Sequence, residues 1–123
     1  MDSKVLSHAI SLARGNDAAL YLFHIVEGVS GQIYGGEADD KEARHDKESL
    51  EGIAAEIRTH GIEAFPHLGY GSVPKAIIRL AKEHNLDLLV MGGHGHRGLK
   101  DIFFGASISE VRHGLTIPVL VVQ

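Results

Sequence analysis

Three short, almost wholly apolar runs stand between stretches of helical periodicity, and this alternation constrains the fold more than any other feature of the chain. The runs are Ala18 to Val26, Leu86 to Met91 and Ile117 to Val122. Each has the length of a strand and lacks the polar alternation of a half-exposed one, the pattern of strands covered on both faces in a parallel sheet. A fourth strand, Ile62 to Leu68, contains Pro66, which cannot donate to a ladder and so marks a sheet edge.

The intervening stretches repeat at three and four residues. From Ser3 to Arg14, Val5, Leu6, Ala9, Ile10, Leu12 and Ala13 line one side of a helix that Gly15, Asn16 and Asp17 end. Gly28, Gly31, Gly35 and Gly36 fall in the longest loop. From about Asp40 to His60 a second helix carries Leu50, Ile53, Ala54 and Ile57 on one face, with Gly61 as its stop. Ser72 caps a third helix with Pro74 in its first turn and Ile77, Ile78, Leu80 and Ala81 as its buried face, and Gly69 and Gly71 turn the chain before it. A fourth helix runs from roughly Ala106 to His113. The order predicts a single doubly wound α/β domain over residues 1–123, a mainly parallel sheet with helices on both faces. A helix patterned to pack on a sheet at the very start of the sequence implies a strand before it, so the usual first strand is expected to be lacking.

Composition narrows the function. With 44% hydrophobic and 23% charged residues, the 123-residue chain has the apolar surface for one core. Twelve Lys and Arg against 16 Asp and Glu leave a net charge of −4, against the positive excess that nucleic-acid binding needs. The absence of cysteine removes disulfides, thiolate zinc sites and thiol catalysis together. The longest apolar run, Ala18 to Phe23, is far short of the roughly 20 residues of a membrane helix, so no direct membrane insertion is expected. The start of the chain has no signal-peptide core, and a cytoplasmic location fits.

The chemistry-bearing segment is Gly92 to Gly98, at the carboxyl end of a strand, where open α/β sheets bind ligands. Glycines there let backbone N–H groups approach phosphate oxygens, and the following helix N-terminus favours an anion. Gly93, Gly95 and Gly98 spell GxGxxG, but the second strand and acidic residue of a dinucleotide fold do not follow. Leu99 stands where a Walker loop needs Lys. A tight strand-to-helix connection would also account for an isolated glycine cluster.

The wider spacing is more telling. Gly92, two residues, Gly95, nine residues, Gly105, within Leu89-Val90-Met91-Gly92-Gly93-His94-Gly95-His96-Arg97-Gly98-Leu99-Lys100-Asp101-Ile102-Phe103-Phe104-Gly105-Ala106-Ser107, resembles the nucleotide motif of the universal stress protein family. The closing Ile117-Pro118-Val119-Leu120-Val121-Val122, the segments His8 to Ala13 and Leu22 to Val26, and Gly71-Ser72-Val73-Pro74 extend the resemblance along nearly the whole chain. It implies a stress-related binding module, ATP or AMP as ligand, and no catalysis beyond weak ATP hydrolysis. Met91 and Gly92 would flank the adenosine, Ile25 or Val26 would line the base pocket, and Gly95 and Gly105 would face phosphates. His96, Arg97 and Gly98 complete the loop, with Arg97 and Lys100 able to neutralise an anion. Two departures count against nucleotide. Ala106 stands where the family has a hydroxyl donor, leaving Ser107 or the backbone to substitute, and the family's opening strand, which ends in an Asp that contacts the nucleotide, would lie before Met1. The alternative is a dimerisation or regulatory module without nucleotide. Gly31-Gln32-Ile33-Tyr34-Gly35, with the closing strand after Arg112 and His113, resembles the subgroup fused behind membrane metal transporters of the natural-resistance macrophage protein type.

Nine histidines, with His94 and His96 flanking Gly95, raise a metal site, but no HExxH and no neighbouring carboxylate accompany the pair. No metal is expected beyond magnesium carried by a nucleotide. His24, within an apolar strand, reads as a satisfied core histidine, and His113, near a helix C-terminus, has a dipole role open to it. The mixed charges of Asp39 to Glu48 read as a solvated helix face. No GxSxG elbow supports hydrolase chemistry. Finally, the apolar strand at the chain's end is a template for pairing, and a homodimer through Pro118 to Val122 is expected.

Overall fold

The computed structural model describes residues 3–26, 37–92 and 108–122. Its elements are α1 (Ser3–Asn16), β1 (Leu20–Val26), α2 (Glu37–Arg58), β2 (Ala64–Tyr70), α3 (Val73–Glu83), β3 (Leu89–Gly92) and β4 (Val119–Val122), with residues 108–114 helical between the last two strands. The α/β class and the parallel pairing expected from the alternation are what the chain has. β1 runs parallel to β2 from Leu20↔Ala64 to Val26↔Tyr70, and β3 runs parallel to β4 from Leu89↔Val119 to Gly92↔Val122. Parallel neighbours need a long crossover, which α2 supplies for the first pair and the 108–114 helix for the second. The strands described make two two-stranded sheets, β1-β2 and β3-β4.

The chain divides into two compact units, one of Ile10–Val73 and one of Met1–Ala9 with Pro74–Gln123. In the first, α2 packs on both β1 and β2. Its buried stripe is Leu50, Ala54 and Ile57, spaced four and three, and the same unit buries Leu22, Ile62 and Ala64. A fully buried Leu or Ile contributes about 1.5–3 kcal/mol, so these few side chains dominate the unit's stability. Tyr21 and Phe65 meet as a tilted ring pair on the opposite face of the strands with centroids 5.1 Å apart, and His67 lies 5.8 Å from Tyr21 in a near-parallel stack. In the second unit Ala76, Leu80 and Ala81 of α3, Leu89, Val122 and the fully buried Val111 form the core.

Two strands begin later than the sequence predicts for one shared reason, that amides spent on helix caps cannot join a ladder. α1 runs through Gly15 to Asn16, whose Nδ2 donates to Leu12 O, and Asp17 takes the left-handed conformation at φ 53°. The Ala18 N–H then caps Ala13 O at 3.0 Å, so β1 begins at Leu20 instead of Ala18. Likewise Asn85 (φ 50°) ends α3 and the Leu86 N–H donates to Ala81 O, which delays β3 to Leu89. Gly61 stops α2 at φ 80° as expected, although the helix spans Glu37–Arg58, and β2 starts only at Ala64. β2 continues through Gly69 to Tyr70, and only Gly71, at φ 101°, turns the chain. β4 is confined to Val119–Val122.

Burial corrects other expectations. In β1 only Leu22 is buried, and His24, read as a core histidine, is exposed with Nε2 3.4 Å from Asp46 Oδ2. Asp46 sits one turn before Leu50, so the α2 seam ends in a polar contact with the sheet, and the charges beginning at Asp39 are not all on a solvated face. Pro74, Ala76, Leu80 and Ala81 make the buried face of α3, with Ile77 and Ile78 only half-buried. His113 is exposed, and its Nδ1 lies 2.7 Å from Ser109 O one turn back. No helix among the described residues is long and apolar enough to cross a membrane. The loop of Gly28, Gly31, Gly35 and Gly36, with the Gly31–Gly35 run, falls outside the described residues.

Two glycines are required by their surroundings. At Gly71 the positive φ serves a turn whose N–H donates to Val26 O at 3.2 Å. At Gly114 an added Cβ would collide with Ile78 Cδ1 and approach its Cγ1 to 3.0 Å. Gly71→Ala is expected to cost about 1–2 kcal/mol in denaturant unfolding, from left-handed strain. Gly114→Ala should cost about 1–3 kcal/mol by overpacking, and Ile78→Val, which removes Cδ1, should recover part of that cost in a double-mutant cycle.

Candidate functional site

A parallel ladder gives alternate residues of each strand to the neighbour and turns the others away. In β3 the Leu89 N–H donates to Pro118 O at 3.1 Å, which assigns the backbone groups of Leu89 and Met91 to β4 and turns those of Val90 and Gly92 to the opposite edge. Met91 and Gly92, both half-buried, form the carboxyl end of β3. Gly92 thus ends the strand with its amide directed away from β4 and no side chain to block approach. The segment continuing from it carries Gly95, His96, Arg97, Gly98, Gly105, Ala106 and Ser107, all of which lie outside the described residues, as do His94 and Lys100.

At the carboxyl end of β1 the same parity separates the two candidates for the base pocket. Leu20 N–H donates to Glu63 O at 2.8 Å and Gly71 N–H to Val26 O at 3.2 Å, so Leu20, Leu22, His24 and Val26 spend their backbone groups on β2. Ile25 turns its N–H and C=O to the edge opposite β2, and its half-buried side chain shares a sheet face with Phe23 and Tyr21. Val26 can offer a side chain but has already committed its carbonyl. Of the two residues, Val26 has its carbonyl paired with Gly71 and Ile25 turns its backbone groups away from β2.

Taken separately, the end of β3 presents the half-buried Met91 and the backbone of Gly92, and the end of β1 presents the outward backbone groups of Ile25. No group of three or more His, Asp or Glu able to hold a metal occurs among the described residues. An open hollow of about 310 Å³, lined by Arg58, Gly61, Ile62, Glu63, Ala64 and Phe65, lies instead at the amino end of β2, at the other end of the strand from the candidate site. Sequence reasoning missed the Gly71 tie to Val26, the His24–Asp46 contact and the Arg58 side chain, whose Nε and Nη2 both donate to Ala64 O. Of these only Gly71 carried a signal, its place before Ser72 and Pro74.

Comparison with known proteins supplies the family. The model of the universal stress protein family matches residues 2–123. Universal stress protein A homolog 1 of Coxiella burnetii is 32% identical over 125 residues, covering 97% of this chain and 85% of that protein. Among solved structures, the protein MJ0577 of Methanocaldococcus jannaschii superposes with a TM-score of 0.81 at 24% identity, over 96% of this chain and 84% of that one. The universal stress protein of Archaeoglobus fulgidus in complex with dAMP gives a TM-score of 0.68 at 26% identity, over 98% and 86%. A whole-chain family match and a relative above 30% identity, on an α/β frame of parallel strands, establish that the chain belongs to the universal stress protein family.

Proposed function

We propose that the protein is an adenine-nucleotide-responsive binding module, taking ATP or AMP, that works by binding and association instead of catalysis. The observation that carries this reading is the end of β3. Gly92 turns its amide away from β4 and leads directly into Gly93-His94-Gly95-His96-Arg97-Gly98, so backbone donors and a cation follow one another in sequence where a phosphate would be held. The dAMP complex of the Archaeoglobus fulgidus relative supports the choice of an adenine ligand. In this reading Met91 and Gly92 flank the adenosine and Ile25 reads the base edge through its backbone. Gly95, Gly98 and Gly105 face phosphates, with His96, Arg97 and Ser107 as polar contributors and magnesium arriving only with the nucleotide.

Ala106 favours a second reading, a dimerisation or regulatory module without nucleotide, because it offers no hydroxyl to a terminal phosphate. Calorimetric titration decides between the two. Binding of AMP and ATP is expected, and Ala106→Ser should raise ATP affinity about fivefold, one hydrogen bond of about 1 kcal/mol, while leaving AMP unchanged. No heat and no rise in melting temperature with either nucleotide would leave the second reading standing.

Both readings include a cytosolic homodimer through Pro118 to Val122. Ladder parity supports the edge: Pro118, Leu120 and Val122 face β3, so Val119 and Val121 direct their N–H and C=O outward, and Leu120 is 37% exposed. Val121→Pro removes one outward donor while sparing the bonds to β3. Sedimentation should show the parent as a dimer and this variant as a monomer.

A further inference from the structure

β2 is the segment Ala64-Phe65-Pro66-His67-Leu68-Gly69-Tyr70, with no Lys, Arg, Asp or Glu of its own and with Phe65 and Tyr70 exposed at 37% and 42%. Among the described residues it pairs with β1 alone. A neutral, apolar strand at a sheet edge is the usual template for unwanted pairing with another chain. The ladder parity fixed by Leu20 N–H to Glu63 O and Gly71 N–H to Val26 O assigns Glu63, Phe65, His67, Gly69 and Gly71 to β1. Ala64, Pro66, Leu68 and Tyr70 therefore face outward. At the first of these the carbonyl is occupied, since Arg58 donates to Ala64 O through Nε at 3.0 Å and Nη2 at 2.5 Å. At the second the donor is absent, because Pro66 has no N–H.

From this juxtaposition we propose that Arg58 and Pro66 form a two-part guard that closes the outer edge of β2 against a second copy of this chain. An incoming strand must pair with consecutive outward residues. Here it would lose an acceptor at residue 64 and a donor at residue 66, and to recover the acceptor it would have to displace a guanidinium that holds one carbonyl with two bonds. Arg58 is the last residue of α2, and the turn at Gly61 brings its side chain back over the first residue of β2. The arginine half of the guard is thus carried by a different element from the strand it protects, and the proline half by the strand itself. The outward residues of β4, Val119 and Val121, have neither device. The inference is independent of nucleotide binding and of the oligomeric state of the parent, because it concerns what is added when the guard is removed.

The test compares the full chain with Arg58→Met/Pro66→Val, which removes the guanidinium but keeps the aliphatic stem and restores the missing N–H. Circular dichroism and cooperative unfolding establish that the variant is folded, and sedimentation velocity over a range of concentration reads association. Species of at least twice the parent's mass are expected, with the outward amides of Leu68 and Tyr70 gaining protection from hydrogen exchange in the larger species. A folded double variant that sediments like the parent overturns the proposal, as does a larger species in which those two amides stay unprotected. If the double variant does not fold, Arg58→Met and Pro66→Val are measured singly with the same two readouts, at least one should associate, and parent-like sedimentation of both overturns the proposal. Arg58→Lys, which keeps a cationic donor, should restore the parent's behaviour, whereas a purely structural role for Arg58 would change stability and leave mass untouched.

Discussion

Parallel pairing is the constraint on which the rest of this structure depends. Two parallel strands cannot be joined by a tight turn, so each pair needs a helix-length crossover, and that helix must then pack on the sheet it serves. In the Ile10–Val73 unit the crossover is α2, held by Leu50, Ala54 and Ile57 against β1 and β2. The seam finishes at Asp46 and His24, where a fourth apolar pair would have continued the stripe. That contact is partly solvated, with the two side chains 48% and 27% exposed, so it contributes little to stability. Parallel pairing also decides which backbone groups remain for other work. It commits Val26 to Gly71 and leaves Ile25 and Gly92 facing away from their strand partners.

Much of this was legible in the sequence, because the two periodicities are produced by the same burial that stabilises the elements. Every helix and strand expected from the alternation has a counterpart, and among the described residues the strand that holds Pro66 pairs with β1 alone. Boundaries were less legible, since an apolar residue such as Ala18 or Leu86 suits a strand by composition even when its amide is used to cap the preceding helix. The left-handed caps at Asp17 and Asn85 illustrate the limit. Glycine is the cheapest residue there, and the expectation fell on Gly15, yet Asp and Asn tolerate the conformation well enough for the helix to run on. His24 was misjudged for a related reason: its neighbours in sequence are apolar, but it shares a face with Leu22 near the polar end of the α2 seam, which only the register reveals.

The candidate site was legible in type more than in detail. Glycine spacing after a buried strand identifies where a ligand can approach backbone amides, since that is a requirement on what must be absent from side chains. It does not say which of two adjacent residues, Ile25 or Val26, has its amide free, because parity is a property of pairing and no single strand encodes its own. One hydrogen bond, from Gly71 to Val26, fixes the parity and turns the backbone of Ile25 away from β2. Gly71 therefore has two roles, a turn that only glycine makes without strain and a donor that consumes the carbonyl of the last residue in β1.

The outer edges of β2 and β4 put the same pairing chemistry to different use. Both strands are apolar and both turn alternate amides outward, so by composition either could recruit another chain. A molecule with one such edge can close a two-fold dimer, in which the edge is consumed by its own copy. A molecule with two can continue from dimer to filament, since each closed contact leaves the other edge available. A proline in the strand and an arginine from the neighbouring helix blunt the outer edge of β2, whereas the outward residues of β4 carry neither device. Proline acts without regard to the rest of the fold. The arginine acts only once α2 has docked, so the full protection of the β2 edge appears with the folded state.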